Sequence, residues 1–212
     1  MGPLQQRTAD EQVVHVIDDD DAVRDSLAIL FDSVGLQART YGSALSFLDV
    51  ARQLRAGCVL TDVRMPDIDG LSLQQRLADL DVRLPVIVMT AHADVPIAVR
   101  ALKAGGFDFI EKPFDQERLV AAVRKALAHS AAQSRTQQEL REIAARLEAL
   151  TPREREVLDG LVAGQPNKAI ALDLGTSPRT IEVHRARIME KMGAQSLPEL
   201  VGMVIRARFQ DQ

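Results

Sequence analysis

Residues 13–21 have the sequence VVHVIDDDD, a near-continuous apolar run that passes directly into four aspartates. Two further runs of this kind occur at 58–61 (CVLT, followed by Asp62) and at 85–89 (PVIVM). Short apolar runs without alternation are typical of strands buried on both faces of a parallel sheet. These three runs therefore predict the central strands of such a sheet.

Segments with helical spacing separate the predicted strands. After the first strand the spacing is carried by Val23, Leu27, Leu30 and Phe31. Residues 99–103 show the same helical spacing after the run at 85–89. Two weaker strands are predicted at 37–41 and 108–111. Strands that alternate with helices predict an α/β fold, a doubly wound five-stranded parallel sheet with helices on both faces. Such sheets bind ligands beyond the carboxyl ends of their strands.

The rest of the chain is organised differently. Residues 117–150 contain no Gly and no Pro, which predicts a long helix. Its apolar seam consists of Leu140, Ile143, Ala144, Leu147 and Leu150. This seam suits either pairing with a second copy or packing against its own domain. Short helical patterns follow within 151–205, so we predict a first domain at 11–128, a helical linker at 129–149 and a small all-α domain at 150–212.

Composition excludes several classes of protein. The chain has 212 residues, 46% hydrophobic and 26% charged, which fits globular domains and excludes a disordered or collagen-like chain. It has no Trp and one Tyr, so a base-stacking surface for single strands is poorly supplied. The lone Cys58 excludes a disulfide framework and a cysteine zinc site. No apolar run approaches a membrane span and the polar start does not resemble a signal peptide, so we expect a cytoplasmic protein without membrane contact.

Charge is unevenly divided along the chain. Residues 1–128 carry 19 acidic and 14 basic side chains, whereas 129–212 carry 11 acidic and 12 basic ones. The mildly basic second part permits contact with nucleic acid but does not require it, because an ordinary surface has a similar balance.

Acidic side chains follow two predicted strands that are neighbours in a sheet of this kind. Asp18–Asp21 follow the first strand and Asp62 follows the third. Carboxylates that converge repel one another unless a cation neutralises them, and Mg²⁺ prefers oxygen ligands. Thr90 ends the fourth strand and Lys112 follows the fifth. Each of these residues alone is ordinary, but together they predict a site that handles a phosphoryl group.

The stretches VIDDDDAVR, LTDVRMPDIDG, VIVMTAHAD and DFIEKPF resemble the receiver domain of two-component response regulators, over residues 12–128. The resemblance implies a flavodoxin-like fold and phosphorylation of Asp62 by a partner sensor histidine kinase. The implied Mg²⁺ ligands are Asp18 (through water), Asp19, Asp62 and the backbone carbonyl of Arg64. It also implies that Thr90 and Lys112 contact the phosphoryl oxygens, that Phe109 is a switch aromatic and that Lys112-Pro113 is a cis peptide.

The short helices at the end of the chain have the pattern of a helix-turn-helix. Gly175 separates two of them, and Ser177-Pro178 has the signature of a helix start. The following helix has an apolar face and an opposite stripe of Arg179, Glu182, Val183, Ala186 and Glu190. Flanking this stripe are Thr180, Arg185, Arg187 and Lys191. Such a face suits the major groove of double-stranded DNA. Glu182 is open to three interpretations: a solvated side chain, an ion-pair member, or an acceptor for a cytosine amino group.

Residues 150–201, LTPREREVLDGLVAGQPNKAIALDLGTSPRTIEVHRARIMEKMGAQSLPELV, resemble the LuxR-type helix-turn-helix. The resemblance implies that bases are read by Glu182, Val183 and Ala186. The implied contacts to the DNA backbone are Asn167, Lys168, Arg179, Arg185 and Lys191, with Thr180 beside them. Across both domains the chain resembles the FixJ-like branch of response regulators.

We therefore expect a DNA-binding transcription regulator that phosphorylation of Asp62 switches, with RNA polymerase as a further partner. The resemblance implies that the face at 94–111 changes on phosphorylation and forms a homodimer on a two-half-site operator. Two alternatives stay open. One is a constitutive DNA binder whose receiver serves only as a dimerisation module. The other is a Mg²⁺-dependent phosphotransferase or phosphatase, which is disfavoured because a DNA-reading module is attached; we expect no enzyme beyond the receiver's own phosphoryl chemistry.

Overall fold

The computed structural model describes residues 13–91 and 105–208. The chain divides into two compact units, Met1–Ser134 and Arg135–Gln212. The helix expected at 99–103 and most of the face expected at 94–111 lie outside the described residues. Within the described residues, no helix combines the length and hydropathy needed to cross a bilayer.

A parallel sheet forms the centre of the first unit. Its strands are β1 (Val13–Ile17), β2 (Gln37–Tyr41), β3 (Cys58–Asp62), β4 (Val86–Thr90) and β5 (Asp108–Glu111). They are arranged in the order β2-β1-β3-β4-β5, and all neighbours are parallel. Every residue of β1, β3 and β4 is buried, which explains why their sequences do not alternate. The edge strands β2 and β5 are more exposed and therefore had weaker signals.

Helices cover both faces of this sheet. The described helices of the first unit are α1 (Asp21–Ser33), α2 (Ala44–Ala51), α3 (Gly70–Asp79) and the start of α4 (Gln116–Glu148). Helices α2 and α3 pack on the face that carries Val59 and Val88. Helix α1 and the start of α4 pack on the face that carries Leu60 and Ile87. The predicted doubly wound α/β fold is confirmed.

Side-chain caps determine where the helices of the first unit begin. Asp20 Oδ1 accepts from the backbone N–H of Ala22 at 2.8 Å, so one aspartate of the acidic run is a helix cap. Asp69 Oδ1 accepts from the N–H of Ser72 at 2.6 Å and caps α3 in the same way. The aspartates of the acidic run therefore have different positions: Asp20 caps α1, and Asp18 lies at the carboxyl edge of the sheet.

The second unit is all-α after the end of α4. Its remaining helices are α5 (Pro152–Val162), α6 (Asn167–Asp173), α7 (Pro178–Met192) and α8 (Leu197–Arg208). Thr151 and Glu154 form a capping box at α5. Ser177 caps α7, at the helix start that Ser177-Pro178 predicted. Helices α6 and α7 are the predicted helix-turn-helix, with Gly175 in the left-handed region at φ 62° between them.

The end of α4 belongs to the core of the second unit. Ile143 and Leu150 are buried in that core, and Leu147 is partly buried against it. Ala144 is exposed. Three residues of the apolar seam thus pack within the second unit, which is one of the two arrangements that the sequence allowed.

Gly160→Ala is expected to destabilise the second unit by about 1–3 kcal/mol, the usual cost of overpacking. A Cβ at Gly160 would lie 2.8 Å from Ile170 Cγ1 and 2.9 Å from Gln165 Oε1. Urea unfolding monitored by circular dichroism measures the change in the free energy of unfolding.

Gly202→Ala is the matched control for this prediction, because Gly202 lies inside α8 and the Cβ that alanine adds there would meet no described atom within 4 Å. It should leave stability unchanged or raise it by up to about 1 kcal/mol through helix propensity. Equal effects of the two substitutions would contradict the close approach of α5 and α6.

Candidate functional site

Three charged side chains meet at the carboxyl edge of the sheet. Lys112 Nζ lies 2.9 Å from Asp18 Oδ2 and 2.6 Å from Asp62 Oδ1. Both carboxylates are almost fully buried, with relative exposures of 2% for Asp18 and 8% for Asp62. The lysine ammonium therefore bridges two carboxylates in a setting largely removed from solvent.

The sheet brings these residues together. Asp18 follows β1, Asp62 ends β3, and β1 and β3 are hydrogen-bonded neighbours. Lys112 follows β5, and its backbone N–H donates to the carbonyl of Thr90 at 2.7 Å. The Lys112-Pro113 peptide is cis. Residues distant in sequence thus converge because parallel strands end at the same edge.

Electrostatics favour the charged form of Lys112. Partial burial by itself disfavours the ammonium, but hydrogen bonds and charge from Asp62 and Asp18 outweigh it and raise the pKa of Lys112 above its ordinary value. The ammonium is therefore retained at neutral pH, where it offsets the two carboxylates.

The other carboxylate oxygens accept from the backbone. Asp18 Oδ1 accepts from the N–H of Asp20 at 3.0 Å, and Asp62 Oδ2 accepts from the N–H of Arg64 at 2.6 Å. Arg24 Nη1 donates to the backbone carbonyl of Asp18 at 2.6 Å. These bonds fix the loops after β1 and β3, and Arg24 is a supporting residue that the sequence analysis did not identify.

Gly70 is a second residue that sequence reasoning missed. A Cβ there would lie 2.3 Å from the backbone oxygen of Asp62, so only glycine allows α3 to start this close to the end of β3. The signal in the sequence was the glycine placed directly after the capping residue Asp69.

The remaining predicted residues of this site lie on β4 and β5 and on the loops after β1 and β3. Asp19 and the side chain of Arg64 are exposed, on the loops after β1 and β3. Thr90 is buried at the end of β4. Phe109 is half-buried on β5 and packs against the α2/α3 side of the core.

The residues at this edge fit a hard divalent cation by their chemistry. Asp18, Asp19, Asp62 and the carbonyl of Arg64 are all oxygen donors, the type that Mg²⁺ prefers. Among the described residues, however, no three His, Cys, Asp or Glu side chains are arranged to enclose a metal, and Lys112 supplies the positive charge.

A second candidate surface lies on α7. Ile181, Ile188 and Met192 are buried in the core of the second unit. The opposite side exposes the predicted reading residues Glu182, Val183 and Ala186, and Val183 is 48% exposed. The exposed neighbours near its start are Arg179 and Thr180, and Arg185 is half-buried. An exposed Val on a helix otherwise anchored by its apolar side suits contact with base edges, including the thymine methyl group.

The residues of α6 that are predicted to contact the DNA backbone are the first two of the helix. Asn167 is half-buried and Lys168 is exposed. Lys168 is therefore available to a phosphate without any rearrangement of the core.

Lys191 is engaged within the protein. Its Nζ lies 2.7 Å from Oε2 of Glu154, and Glu154 is only 3% exposed. The same Oε2 accepts from the N–H of Thr151 at 2.9 Å. The hydrogen bond from Lys191, and then that from Thr151, lower the pKa of Glu154 to about 2 despite its burial. Lys191 thus has a structural partner that its sequence position did not reveal.

Glu154→Gln is expected to destabilise the second unit in a pH-dependent manner. Because the pKa of Glu154 is lowered from 4.5 to about 2 in the folded state, its stabilising contribution is fully present above pH 4.5. The contribution is lost as the pH falls towards 2. Urea unfolding of wild type and variant at several pH values should therefore give a difference that is constant near neutrality and shrinks in acid.

Glu139→Gln is the control for this measurement, because it makes the same change of side chain at an exposed position of α4. It should produce little difference at any pH. A Glu154→Gln effect that does not change with pH would show that the charge of Glu154 is not what stabilises the unit.

Comparison with known proteins identifies both units. The response regulator receiver domain family matches residues 14–124, and the luxR family of bacterial regulatory proteins matches residues 148–204. The transcriptional regulatory protein FixJ of Azorhizobium caulinodans is 54% identical over 194 residues, which cover 92% of each chain.

Two solved structures are similar along most of the chain. That of the response regulator StyR has a TM-score of 0.83 and 36% identity and covers 92% of this chain and 98% of its own. That of full-length FixJ from B. japonicum has a TM-score of 0.57 and 46% identity and covers 93% and 98%. The chain therefore belongs to the FixJ-like response regulators, DNA-binding transcription regulators rather than classical enzymes, which join a receiver domain to a LuxR-type helix-turn-helix domain.

Proposed function

We propose that phosphorylation of Asp62 by a partner histidine kinase switches this regulator, and that the phosphorylated form binds a two-half-site operator as a homodimer. The observation that carries the proposal is the bridge from Lys112 Nζ to Asp18 and Asp62. It holds the proposed acceptor carboxylate beside a positive charge at the carboxyl edge of the sheet, where folds of this kind bind ligands.

The proposed reaction is a phosphoryl transfer between two side chains. A carboxylate oxygen of Asp62 attacks the phosphorus of a phosphohistidine on the kinase. The new O–P bond forms as the P–N bond breaks, and the imidazole nitrogen leaves with the bonding electron pair. Lys112 offsets the negative charge that gathers on the phosphoryl oxygens.

The acidic side chains have a second task in this proposal. Asp18 (through water), Asp19, Asp62 and the carbonyl of Arg64 would hold Mg²⁺, which when bound neutralises phosphoryl oxygens. Lys112 now occupies the space between Asp18 and Asp62, so the added phosphoryl group would draw its ammonium away from Asp18. Electrostatic repulsion between the carboxylates and the phosphate would otherwise oppose the product.

The proposed switch connects Thr90 with Phe109. Thr90 ends β4 and Phe109 lies on β5, three residues before Lys112. The backbone N–H of Lys112 joins the two strand ends through the carbonyl of Thr90. A hydrogen bond from the Thr90 hydroxyl to the phosphoryl group would favour an inward position of Phe109. That position would reshape the face at 94–111, which we propose as the dimer interface.

The proposed DNA contacts lie on α6 and α7. Glu182, Val183 and Ala186 read base edges, while the backbone contacts are Asn167, Lys168, Arg179, Thr180, Arg185 and Lys191. In this set Lys191 would have to share its ammonium with Glu154.

We place the protein with its DNA in the cytoplasm, with RNA polymerase as the partner through which transcription changes. We propose residues 11–128 as the receiver, 129–149 as the linker and 150–212 as the DNA-binding domain.

The dimer switch predicts a change in solution mass. Light scattering with Mg²⁺ should show the mass of the wild type double when beryllofluoride, a phosphoryl mimic, is added. Asp62→Asn should stay at the mass of the unmodified protein, because it lacks the carboxylate that the mimic requires.

Other outcomes would redirect the proposal. A dimer under every condition, with Asp62→Asn binding DNA like wild type, would favour a constitutive DNA binder. An unchanged monomer in the presence of bound mimic would contradict the dimer switch. Turnover of an added phosphate ester would favour a phosphatase.

The two kinds of DNA contact predict different effects. Lys168→Ala should weaken binding to all duplexes and reduce the slope of log affinity against log salt by about 0.9, the loss of one phosphate contact. Val183→Ala should change the sequence preference and leave that slope unaltered. Duplexes enriched by the wild type from a random library, measured by fluorescence anisotropy, provide both readouts.

Arg118→Ala is the charge-matched control for Lys168→Ala, since Arg118 is exposed in the first unit. It should not alter the salt slope. If Lys168→Ala lost affinity for only some sequences, Lys168 would instead be a base-reading residue.

A further inference from the structure

The C-terminal end of α7 is held by the end of α4. Arg146 Nη1 donates to the backbone carbonyl of Met192, the last residue of α7, at 3.0 Å. Gly193 follows in the left-handed region at φ 68°, and a Cβ there would lie 3.3 Å from the same Nη1. Glycine at this position therefore both ends the helix and leaves room for the guanidinium.

The terminal carbonyls of α7 explain why a cation is placed here. The last carbonyls of a helix have no partner within the helix and carry partial negative charge. Met189 and Glu190 accept from the backbone N–H groups of Ala194 and Gly193, at 3.0 and 3.1 Å. The carbonyl of Met192 is satisfied by Arg146, through a charge-assisted bond that the rest of the turn does not supply.

Other contacts hold the same end of α7 from the same side. Ile143 and Leu150 share one buried core with Ile188 and Met192. Lys191 Nζ donates to Glu154 and lies 3.4 Å from the carbonyl of Ala149. The residues around 143–150 therefore form a seat for the C-terminal half of α7, in which Arg146 is the polar anchor.

We propose that Arg146 is a positioning residue for DNA recognition: by anchoring the C-terminal end of α7, it fixes the direction in which the helix presents Glu182, Val183 and Ala186. The inference rests on the proposed DNA-reading role of α7. Arg146 does not read DNA itself, since it acts on the end of α7 opposite to the one where the reading stripe begins.

The geometry of a helix makes such an anchor effective. Glu182 precedes Met192 by ten residues, which at the rise of a helix is about 15 Å, so a tilt of about 4° at the anchored end moves Glu182 by about 1 Å. Hydrogen bonds to base edges tolerate only a few tenths of an ångström. Contacts with phosphates are made by long flexible side chains, so they tolerate larger displacements of the helix. Loss of the anchor should therefore reduce discrimination between sequences more than it reduces general affinity for DNA.

The test uses the full chain with Arg146→Met, which keeps an unbranched stem and removes the guanidinium donor, and Arg146→Lys, which keeps a cationic donor. Arg141→Met is the matched control: both arginines are exposed on α4, but it is Arg146 that bonds to Met192. The probes are a duplex enriched by the wild type from a random library and a duplex of scrambled sequence. Circular dichroism melting sets a temperature at which every variant is folded.

We expect Arg146→Met to lower affinity for the enriched duplex by about tenfold, the size of one lost base contact. Affinity for the scrambled duplex and the slope against log salt should not change. Arg146→Lys should recover most of the loss, and Arg141→Met should bind like wild type.

Three outcomes would overturn the inference. Equal losses on both duplexes, with a salt slope reduced by about 0.9, would make Arg146 a phosphate contact. Unchanged discrimination in folded Arg146→Met would show that the anchor has no role in reading. If the wild type itself enriches no sequence and binds no duplex, the proposed DNA-reading function fails first, a result separate from any effect of Arg146.

Discussion

The bridge from Lys112 to Asp18 and Asp62 is the interaction on which the first unit depends. It joins the ends of three different strands, so the sheet must have its observed order for the bridge to form. Two nearly buried carboxylates side by side would be costly without a cation. The lysine removes that cost and at the same time leaves a site whose charges suit a phosphoryl group. Stability and the proposed phosphoryl chemistry thus depend on the same contact.

In the second unit, the contacts described above hold one surface helix, α7, in a defined direction. As the proposed DNA-reading helix, α7 must expose one side, so it can be fixed only by its buried side and its ends. The buried side supplies Ile181, Ile188 and Met192, and the C-terminal end is held by Arg146 and by the pair Lys191–Glu154. Since α4 provides part of this seat, the segment expected to be a linker also has a structural role in the second unit.

Basic residues on and near the proposed reading helix differ in their interactions. Lys168 is exposed, whereas Lys191 already pairs with a carboxylate that is 3% exposed. An ion pair of this kind holds a lysine close to the protein, and a phosphate would have to compete with Glu154 for it. A count of the basic residues along a helix thus overestimates the number that are available to DNA. A lysine that is paired with a buried carboxylate, as Lys191 is with Glu154, is less available than an exposed lysine such as Lys168.

The sequence alone determined the strands and helix starts, because these depend on neighbours within a few residues. The apolar runs at 13–17 and 58–62, and caps such as Ser177, are local signals of burial and of unsatisfied N–H groups. The convergence of Asp18 and Asp62 could also be predicted from the sequence, because the first and third strands are neighbours in a doubly wound five-stranded sheet. The contacts of Arg146 and Lys191 were decided only by the tertiary structure. Their partners lie 46 and 37 residues away, and no local pattern records which side chain the folded chain will bring to a helix end.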